Sequence, residues 1–573
     1  MDISRWERFR LEHHEGKVLL VLTLVIGAIV GCVVVAFILL TENLGARLYP
    51  PGGGAAWRRL TIPVFGSLVS GFCLYRYFPN ARGSGIPQTK TALFIRDGYI
   101  SLRTVIGKFT MCSLTLASGL ALGREGPSVQ VGAGIASVLG RRLGLSTQSV
   151  RALVPIGAAA ALAAAFNTPI AAVLFSLEEV MGDMHAPVLG SIVLSSATSW
   201  MVLHLLLGDE PLFHVPAYQL VHPAEFAVYA LLGVVGGFVS VAFTRLLLWQ
   251  RKKFQSIPTR MQWFVPVAGG VTVGVLGVFV PDVLGVGYGA VGQALNGHMV
   301  LSMMAMLVVL KLVATATCYS SGNAGGIFGP ALFLGAMLGG SVGSVAHTMF
   351  PHYTGNAGAY ALVGMGTTFA GIVRVPLTSV IMIFETTRDY SIIVPLMISN
   401  LLSYIVSSRF QEEPIYEALL HQDGIHLPSG AGVRAREEVL RVADGLRPGG
   451  DPLPVDLTVE EALARADRRH EAWPVVDAGG LRGMVSAQRL ESLRSEGKGG
   501  EVLGQLVDPP GPAEELLRDN FPHLHLDHPL DAALRKFAET GWNSLPVVSR
   551  DNVREWKGTI ALSDVLKAYG LRT

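Results

Sequence analysis

Charged residues are scarce in this chain of 573 residues, where Asp, Glu, Lys and Arg make up only 15% of the total. A typical soluble domain contains about 25%. The scarcity is also uneven, because the first 410 positions hold 42 of the 88 charged residues and the last 163 positions hold 46. We therefore predict a membrane-embedded front part and a water-soluble tail, which excludes a secreted scaffold and a purely cytosolic enzyme.

Cysteine and net charge are low as well. The four cysteines, Cys32, Cys73, Cys112 and Cys318, lie in apolar stretches without the spacing of a metal site. We predict that they are small core side chains and that the chain holds neither disulfides nor a structural metal. A formal net charge of +2 gives no basic field of the kind that nucleic-acid binding needs, so we expect no nucleic-acid partner.

Long apolar runs fill the front part instead. Residues 18–40 are apolar over 23 positions, enough to cross a bilayer core of about 30 Å. The polar residues 1–17 before them are expected to form a cytosolic N-terminal segment. Several later apolar stretches are short or broken by Gly and Pro. Irregular backbone at membrane depth has to be buried in protein or to line a cavity, and pairs of broken helices are typical of transport sites.

The front part also contains an internal repeat. The first two pairs of matched positions are 203 residues apart and the last three are 207 apart. These pairs are Lys108 and Lys311, Gly123 and Gly326, Gly157 and Gly364, Pro169 and Pro376, and Glu178 and Glu385. We predict a duplicated membrane part with halves at about 18–210 and 220–420. Hydropathy alone leaves open whether the halves are parallel or inverted.

Three short motifs are candidates for an anion site. The segment GREGP (123–127) places Glu125 where a helix can begin, and a helix N-terminus exposes amides and a partial positive charge. GSGIP (83–87) combines a hydroxyl, glycines and a proline in the same way. GIFGP (326–330) repeats GREGP with Phe328 in place of Glu125. The alternatives are an ion pair between Glu125 and Arg124 or another helix, an ordinary helix cap and a tight turn.

A further segment, VGYG (286–289), is similar to a potassium-channel filter. It occurs once and follows a Pro-Asp turn instead of a pore helix, so we assign it no function.

Together GSGIP, GREGP, GGIFGP and the later PIYEALL resemble the CLC family of chloride channels and proton-coupled chloride exchangers, over about residues 18–420. The tail, 429–573, twice shows a helix, a strand ending in Pro-Val-Val, a Gly-led strand and a helix, and it resembles a pair of CBS domains, at about 429–508 and 509–573. The resemblance implies an all-α polytopic membrane domain with inverted halves and broken re-entrant helices, followed by a soluble α/β pair. It also implies a homodimer in the bilayer of a bacterial inner membrane, with the tail in the cytoplasm.

The resemblance assigns roles to individual residues. Glu125 corresponds to the gating glutamate that competes with chloride and carries a proton, and Glu179 to the intracellular proton acceptor. The chloride-binding residues implied are Gly83, Ser84, Ile327, Phe328 and Tyr416. Hydroxyls and amides hold chloride without a full positive charge, so the ion can leave again. Lys90 stands where some bacterial relatives have an acid, and its role stays open.

The expected function is chloride/proton antiport gated by Glu125, and we expect no cofactor and no enzymatic activity. The alternative is a passive CLC-type chloride channel regulated by the CBS tail. A membrane-anchored sensor or enzyme is the alternative from another class, but no nucleophile or metal motif supports it. In the tail, Ser486 and Asp564 each keep half of the pattern for adenine-nucleotide binding, while Arg489 and Ala561 depart from it. A nucleotide site and a purely structural, dimer-stabilising tail both stay open.

Overall fold

The structure is a computed structural model that describes residues 15–50, 54–184, 188–209, 211–213, 215–216, 218, 220–427, 440–446, 452–466, 472–506, 522–550 and 552–569. The chain divides into two compact units, Met1–Gly432 and Val433–Thr573. Most of the expected N-terminal segment, 1–17, and the expected boundary between the tail copies at 508/509 lie outside the described residues.

The first unit is helical, and seven helical segments of its described part are long and apolar enough to cross a membrane. Its helices are α1 Glu15–Leu48, α2 Ala56–Arg76, α3 Ile86–Phe94, α4 Leu102–Ala117, α5 Glu125–Arg142, α6 Thr147–Phe166, α7 Pro169–Phe175, α8 Leu189–Leu207, α9 Glu225–Gln255, α10 Val267–Phe279, α11 Tyr288–Leu295, α12 Leu301–Ser320, α13 Phe328–Met349, α14 Ala357–Val373, α15 Pro376–Thr387, α16 Ile393–Phe410 and α17 Ile415–Gln422. One turn of π-helix, Ser176–Met181, continues α7.

Two short helices begin immediately after a glycine in the left-handed region. Gly85 has φ +104° before α3, and Gly287 has φ +89° before α11. These backbone angles are costly for residues with a side chain. The chain therefore turns sharply at both points and starts a helix of 9 residues at α3 and of 8 residues at α11, each too short to span the bilayer.

The sequence-matched positions make equivalent contacts in the two halves. The amide of Gly123 donates to the carbonyl of Gly326 and the amide of Gly326 donates to that of Gly123, both at 2.7 Å. A side chain on Gly157 would meet the carbonyl of Gly132, and one on Gly364 would meet the equivalent carbonyl, that of Gly335. Small residues at these points let the helix backbones touch, as is common in membrane bundles.

Two matched glutamates each cap a helix of the other half. The Glu178 carboxylate accepts hydrogen bonds from the Thr378 amide at 2.9 Å and the Thr378 hydroxyl at 2.7 Å, at the start of α15. The Glu385 carboxylate accepts from the amides of Ile170 and Ala171, at 2.9 and 2.7 Å, at the start of α7. Carboxylates suit helix N-termini because the amides there lack intrahelical partners. The predicted duplication is therefore visible as a reciprocal exchange of caps.

Two matched lysines hold the sharp turns. Lys108 is fully buried on α4, and its ammonium donates to the carbonyl of Gly83 at 2.8 Å. Lys311 is fully buried on α12, and it donates to the carbonyls of Gly285 and Val283 at 2.6 and 3.0 Å. The loop 285–287 is thus the structural counterpart of the loop 83–85.

The second unit contains two copies of one small α/β fold. In each copy a short strand pairs in parallel with a middle strand, which pairs antiparallel with a third strand. The register shifts at the same place in both, between Val475 and Val476 and between Val547 and Val548. The strands are β1 Leu453–Pro454, β2 Ala472–Asp477, β3 Gly480–Ser486, β4 Leu524–His525, β5 Ser544–Val548 and β6 Trp556–Ala561, and the helices are α18 Val442–Gly445, α19 Val459–Arg465, α20 Ala487–Ser495, α21 Leu503–Leu506, α22 Leu530–Thr540 and α23 Leu562–Ala568.

Candidate functional site

Three helix N-termini, those of α3, α5 and α13, are joined at one place in the first unit. The backbone of Gly83, just before α3, bridges to that of Ala324, just before α13, and Gly123 bridges to Gly326 in the same region. The first amides of a helix have no intrahelical partner and carry a partial positive charge. Their convergence creates a place that favours an anion without requiring a lysine or arginine to contact it.

Two buried hydroxyls face this place. Ser84 and Tyr416 are both 0% exposed, and within the described residues neither hydroxyl has a hydrogen-bond partner. They are neighbours that lie outside hydrogen-bond geometry of each other. A Cβ atom on Gly126 would lie 2.5 Å from the Ser84 hydroxyl, which puts this hydroxyl against the first turn of α5. An unmatched buried hydroxyl costs about 1–3 kcal/mol, so a ligand that accepts hydrogen bonds is expected here.

The Glu125 carboxylate lies at the same place. Glu125 is fully buried. Its Oε1 accepts a short hydrogen bond from the Tyr288 hydroxyl, and its Oε2 accepts one from the Gly329 amide at 3.3 Å, in the first turn of α13. A Cβ atom on Gly329 would lie 3.2 Å from Oε2 and 2.7 Å from the side chain of Val286. The carboxylate therefore sits at a helix N-terminus as a bound anion would.

An aromatic and charged cluster holds Tyr288 in place. The Arg124 guanidinium lies 5.6 Å from the centre of the Tyr288 ring, and it also contacts Glu42 at 3.0 Å. The ring of Phe213 meets the Tyr288 ring edge-on at 5.5 Å between centroids. Arg124 thus pairs with Glu42, while Glu125 turns to Tyr288 and Gly329.

Tyr288 is not among the candidates that the sequence indicates, because residues 286–289 look only like a filter segment. One signal was present: the glycines of G-x-G at 83–85 recur at 285–287, 202 positions later. That offset is one short of the 203 found for the motif GREGP, so the repeat could have identified the segment as a part of the site.

Glu179 lies away from the helix N-termini, in a buried ion cluster. It is on the π-helical turn after α7 and is 5% exposed. The Lys90 ammonium lies 2.9 Å from the Glu179 carboxylate and 3.3 Å from that of Glu417. From the sequence, the role of Lys90 stays open, and Glu417, which directly follows Tyr416, is not among the candidates. The carboxylates of Glu179 and Glu417 also act on each other electrostatically.

Ile327 and Phe328, expected to offer amides to the anion, are fully buried at the start of α13. The Phe328 ring packs against Phe369 and Phe166, with centroids 4.1 and 4.8 Å apart. It also packs against Phe175 at 5.5 Å, one helical turn before Glu179. Apolar rings therefore connect the start of α13 to the helix that carries Glu179, which keeps this region from being a wide aqueous passage.

A cavity of about 310 Å³ lies on the Gly83 side of the site. Gly83, Arg82, Tyr319 and Arg251 are among the residues lining it, and Arg251 contacts Asp423 at 2.7 Å. Asp423 also lines this cavity, so its arginines and one carboxylate lie next to the loop that carries Gly83.

The tail candidates are placed at the start of the helix that follows the third strand of each copy. The Ser486 hydroxyl accepts a hydrogen bond from the Arg489 amide at 3.2 Å, so it caps α20. Asp564 lies in the first turn of α23, and the Thr559 hydroxyl of β6 is buried without a hydrogen-bond partner within the described residues. Among those residues no group of three or more His, Cys, Asp or Glu side chains could hold a metal ion.

Two family models match the chain. The model described as voltage gated chloride channel matches residues 66–408, and the model described as CBS domain matches residues 513–570. The first match covers more than half of the chain, including the loop 83–87 and the starts of α5 and α13. The second covers the second tail copy.

Curated relatives share the membrane part. A protein from Vibrio campbellii named H(+)/Cl(-) exchange transporter ClcA is 32% identical over 362 residues, covering 62% of this chain and 77% of that protein. A protein from Ralstonia nicotianae named putative chloride channel protein ClcB-like is 33% identical over 380 residues, covering 65% of this chain and 88% of that protein. One relative is thus named an exchanger and the other a channel.

Solved structures share the fold. A slow cyanobacterial Cl−/H+ antiporter aligns with a TM-score of 0.64 at 26% identity, covering 71% of this chain and 97% of its own. A eukaryotic CLC transporter aligns with a TM-score of 0.65 at 21% identity, covering 95% of this chain and 97% of its own, so its likeness extends through the tail.

Proposed function

This chain belongs to the voltage gated chloride channel family, and we propose that it couples chloride transport to proton movement in the opposite direction. The membership confirms the resemblance and the fold class predicted from the motifs, and it makes the protein a chloride transporter. Beyond chloride transport, we propose the coupling to protons, the gate at Glu125 and the roles of single residues.

The observation that carries the proposal is that two buried carboxylates, those of Glu125 and Glu179, are electrostatic neighbours of a buried hydroxyl without a hydrogen-bond partner. The Tyr416 hydroxyl has the Ser84 hydroxyl and the carboxylates of Glu125 and Glu179 as electrostatic neighbours. Chloride held by Ser84, Tyr416 and the amides of Ile327 and Phe328 would compete with the Glu125 carboxylate for one electropositive place.

Protonation of Glu125 removes the negative charge that suits a helix N-terminus, so the side chain leaves and chloride enters. Because each ion then changes the occupancy of the other, the two movements are linked thermodynamically. The proton needs a separate route to the opposite side. Glu179 supplies an acceptor that is away from the helix N-termini and is reached past the rings around Phe328.

One observation favours the second candidate, a passive chloride channel. Lys90 contacts Glu179 at 2.9 Å, and a buried ion pair can serve only to join helices. In that case Glu179 would carry no proton.

Reconstitution in liposomes with chloride and pH electrodes separates the two candidates. For Glu125→Ala we expect chloride flux without proton coupling, and for Glu179→Gln we expect chloride flux that still depends on pH but moves no protons. Glu412→Gln is a matched control, because Glu412 is exposed and its side chain is not part of the anion place. If Glu179→Gln and Glu412→Gln both couple protons as the wild type does, Glu179 is not the acceptor.

The remaining parts of the proposal concern the setting. The end of α9 carries Arg251, Lys252 and Lys253, and Arg251 contacts Asp423 just before the tail. Basic residues near membrane helix ends favour the cytoplasmic side. We therefore place the tail in the cytoplasm of a bacterial cell, and we propose a homodimer, as in the family, which cross-linking in membranes can test.

A further inference from the structure

The ion cluster around Lys90 contains one carboxylate more than the proposed mechanism uses. Lys90 contacts Glu179 at 2.9 Å and Glu417 at 3.3 Å. The exposed fractions of the three side chains are 1% for Lys90, 6% for Glu179 and 18% for Glu417. Glu417 is therefore the member of the cluster nearest to water, and it lies in the first turn of α17 next to Tyr416.

We propose that Glu417 is a second proton acceptor, which takes protons from water and passes them to Glu179, while Lys90 positions the two carboxylates. In this step the O–H bond of protonated Glu417 breaks, an O–H bond forms on the Glu179 carboxylate, and Glu417 is left as a carboxylate. The inference rests on the proposed antiport, because it extends the route by which protons reach Glu179.

The charges of the cluster support a proton-carrying role. Lys90 shares one ammonium between two carboxylates in a largely buried place. A single proton held by either carboxylate makes the cluster neutral, and moving that proton between Glu417 and Glu179 changes no net charge. Lys90, by contacting both, holds the two carboxylates at one ammonium.

The groups around the cluster also make contacts outside it. Glu178, beside Glu179 in sequence, accepts hydrogen bonds from the amide and hydroxyl of Thr378. Arg374, which acts electrostatically on Glu417, donates to the carbonyl of Glu412 at 2.7 Å. Glu413 contacts His421, and Tyr416 faces Ser84. The pH response of Glu417 therefore depends on the titratable or charged groups around it, which are Lys90, Glu179, Arg374, Glu413 and Tyr416.

The test measures proton and chloride fluxes of the full chain in liposomes. Glu417→Gln should lower proton flux roughly tenfold or more, as expected when a positioned proton-transfer group is lost, while chloride flux stays within about twofold. Glu412→Gln is the matched control, since Glu412 is an exposed neighbour on the same segment and should leave both fluxes unchanged.

The double variant Lys90→Met/Glu417→Gln removes one charge of each sign and keeps the net charge of the cluster. If Glu417 carries protons, the double variant still transports chloride and remains deficient in proton flux. If Glu417 only balances Lys90, the double variant regains coupling, and the inference fails. It fails as well if Glu417→Gln couples protons as the wild type does. A wild type that moves no protons at all contradicts the antiport proposal instead, so the two failures are distinguishable.

Discussion

Replacing Tyr288 by phenylalanine should weaken the closed gate without opening a cavity around it. The change removes the hydroxyl that donates to Glu125. The ring would keep its contacts with Arg124, 5.6 Å from its centroid, and with Phe213 at 5.5 Å. The amide of Gly329, 3.3 Å from the carboxylate, remains as the other donor.

The magnitude follows from that one hydrogen bond. A hydrogen bond to a charged group contributes about 1.5–3 kcal/mol, and a factor of ten corresponds to about 1.4 kcal/mol. Occupancy of the anion place by the Glu125 carboxylate, relative to the released side chain, should therefore fall by roughly ten- to a hundredfold. Chloride then competes more easily with the ionised carboxylate.

The assay is chloride efflux from liposomes over a pH series. In the wild type, efflux should decrease as the pH rises, because the ionised carboxylate holds the anion place. Tyr288→Phe should flatten this decrease. Tyr218→Phe is the matched control, because it also removes a hydroxyl, one that donates to the Leu295 carbonyl instead of to Glu125. If the profile of Tyr288→Phe coincides with those of the wild type and the control, the Tyr288 hydroxyl does not hold the gate.

The remaining predictions concern selectivity, the tail and the helix caps. Ser84→Pro should raise nitrate flux relative to chloride flux, because it removes a buried hydroxyl that faces the anion place. Wild-type fluoride flux above chloride flux would contradict the assignment of Ser84. A chain ending near Leu420 should still carry chloride, because Ser84 and Tyr416 lie before that point. If the tail is purely structural, calorimetry should detect no micromolar binding of ATP or AMP to the full-length protein, and such binding would contradict that role. Glu385→Gln should destabilise the protein by roughly 0.5–2 kcal/mol, as for the loss of a helix cap, because the carboxylate caps α7 through two amides. Thermal unfolding in detergent measures this loss, and a variant that unfolds as the wild type does would contradict the role of Glu385 as a cap.

The parts of the site that recur at a fixed offset could be predicted from the sequence. The offset between Lys108 and Lys311 identified two residues that make the same kind of contact with a turn, and the offset between Glu178 and Glu385 identified the reciprocal caps. These residues are recognisable because a duplicated fold needs the same backbone groups satisfied twice. The glycines at 157 and 364 are explained in the same way by close helix packing.

The parts that depend on distant partners could not be predicted. Lys90 contacts Glu179 across 89 residues and Glu417 across 327 residues, and no local pattern indicates such a pairing. The contact of Tyr288 is equally distant, since its hydroxyl reaches Glu125 across 163 residues; the G-x-G repeat at 285–287 indicates its segment but not this partner. The pair Glu178-Glu179 looked like one feature in the sequence, whereas the π-helical turn directs one carboxylate to a helix cap and the other to Lys90.

The most direct test of the central claim uses the wild-type protein in liposomes with an outward chloride gradient and no initial pH gradient. Exchange predicts that chloride leaving the liposomes drives protons inward, against the proton gradient that builds up, and that Glu125→Ala abolishes this proton uptake. Chloride efflux with no uphill proton movement would contradict antiport and leave a passive chloride channel.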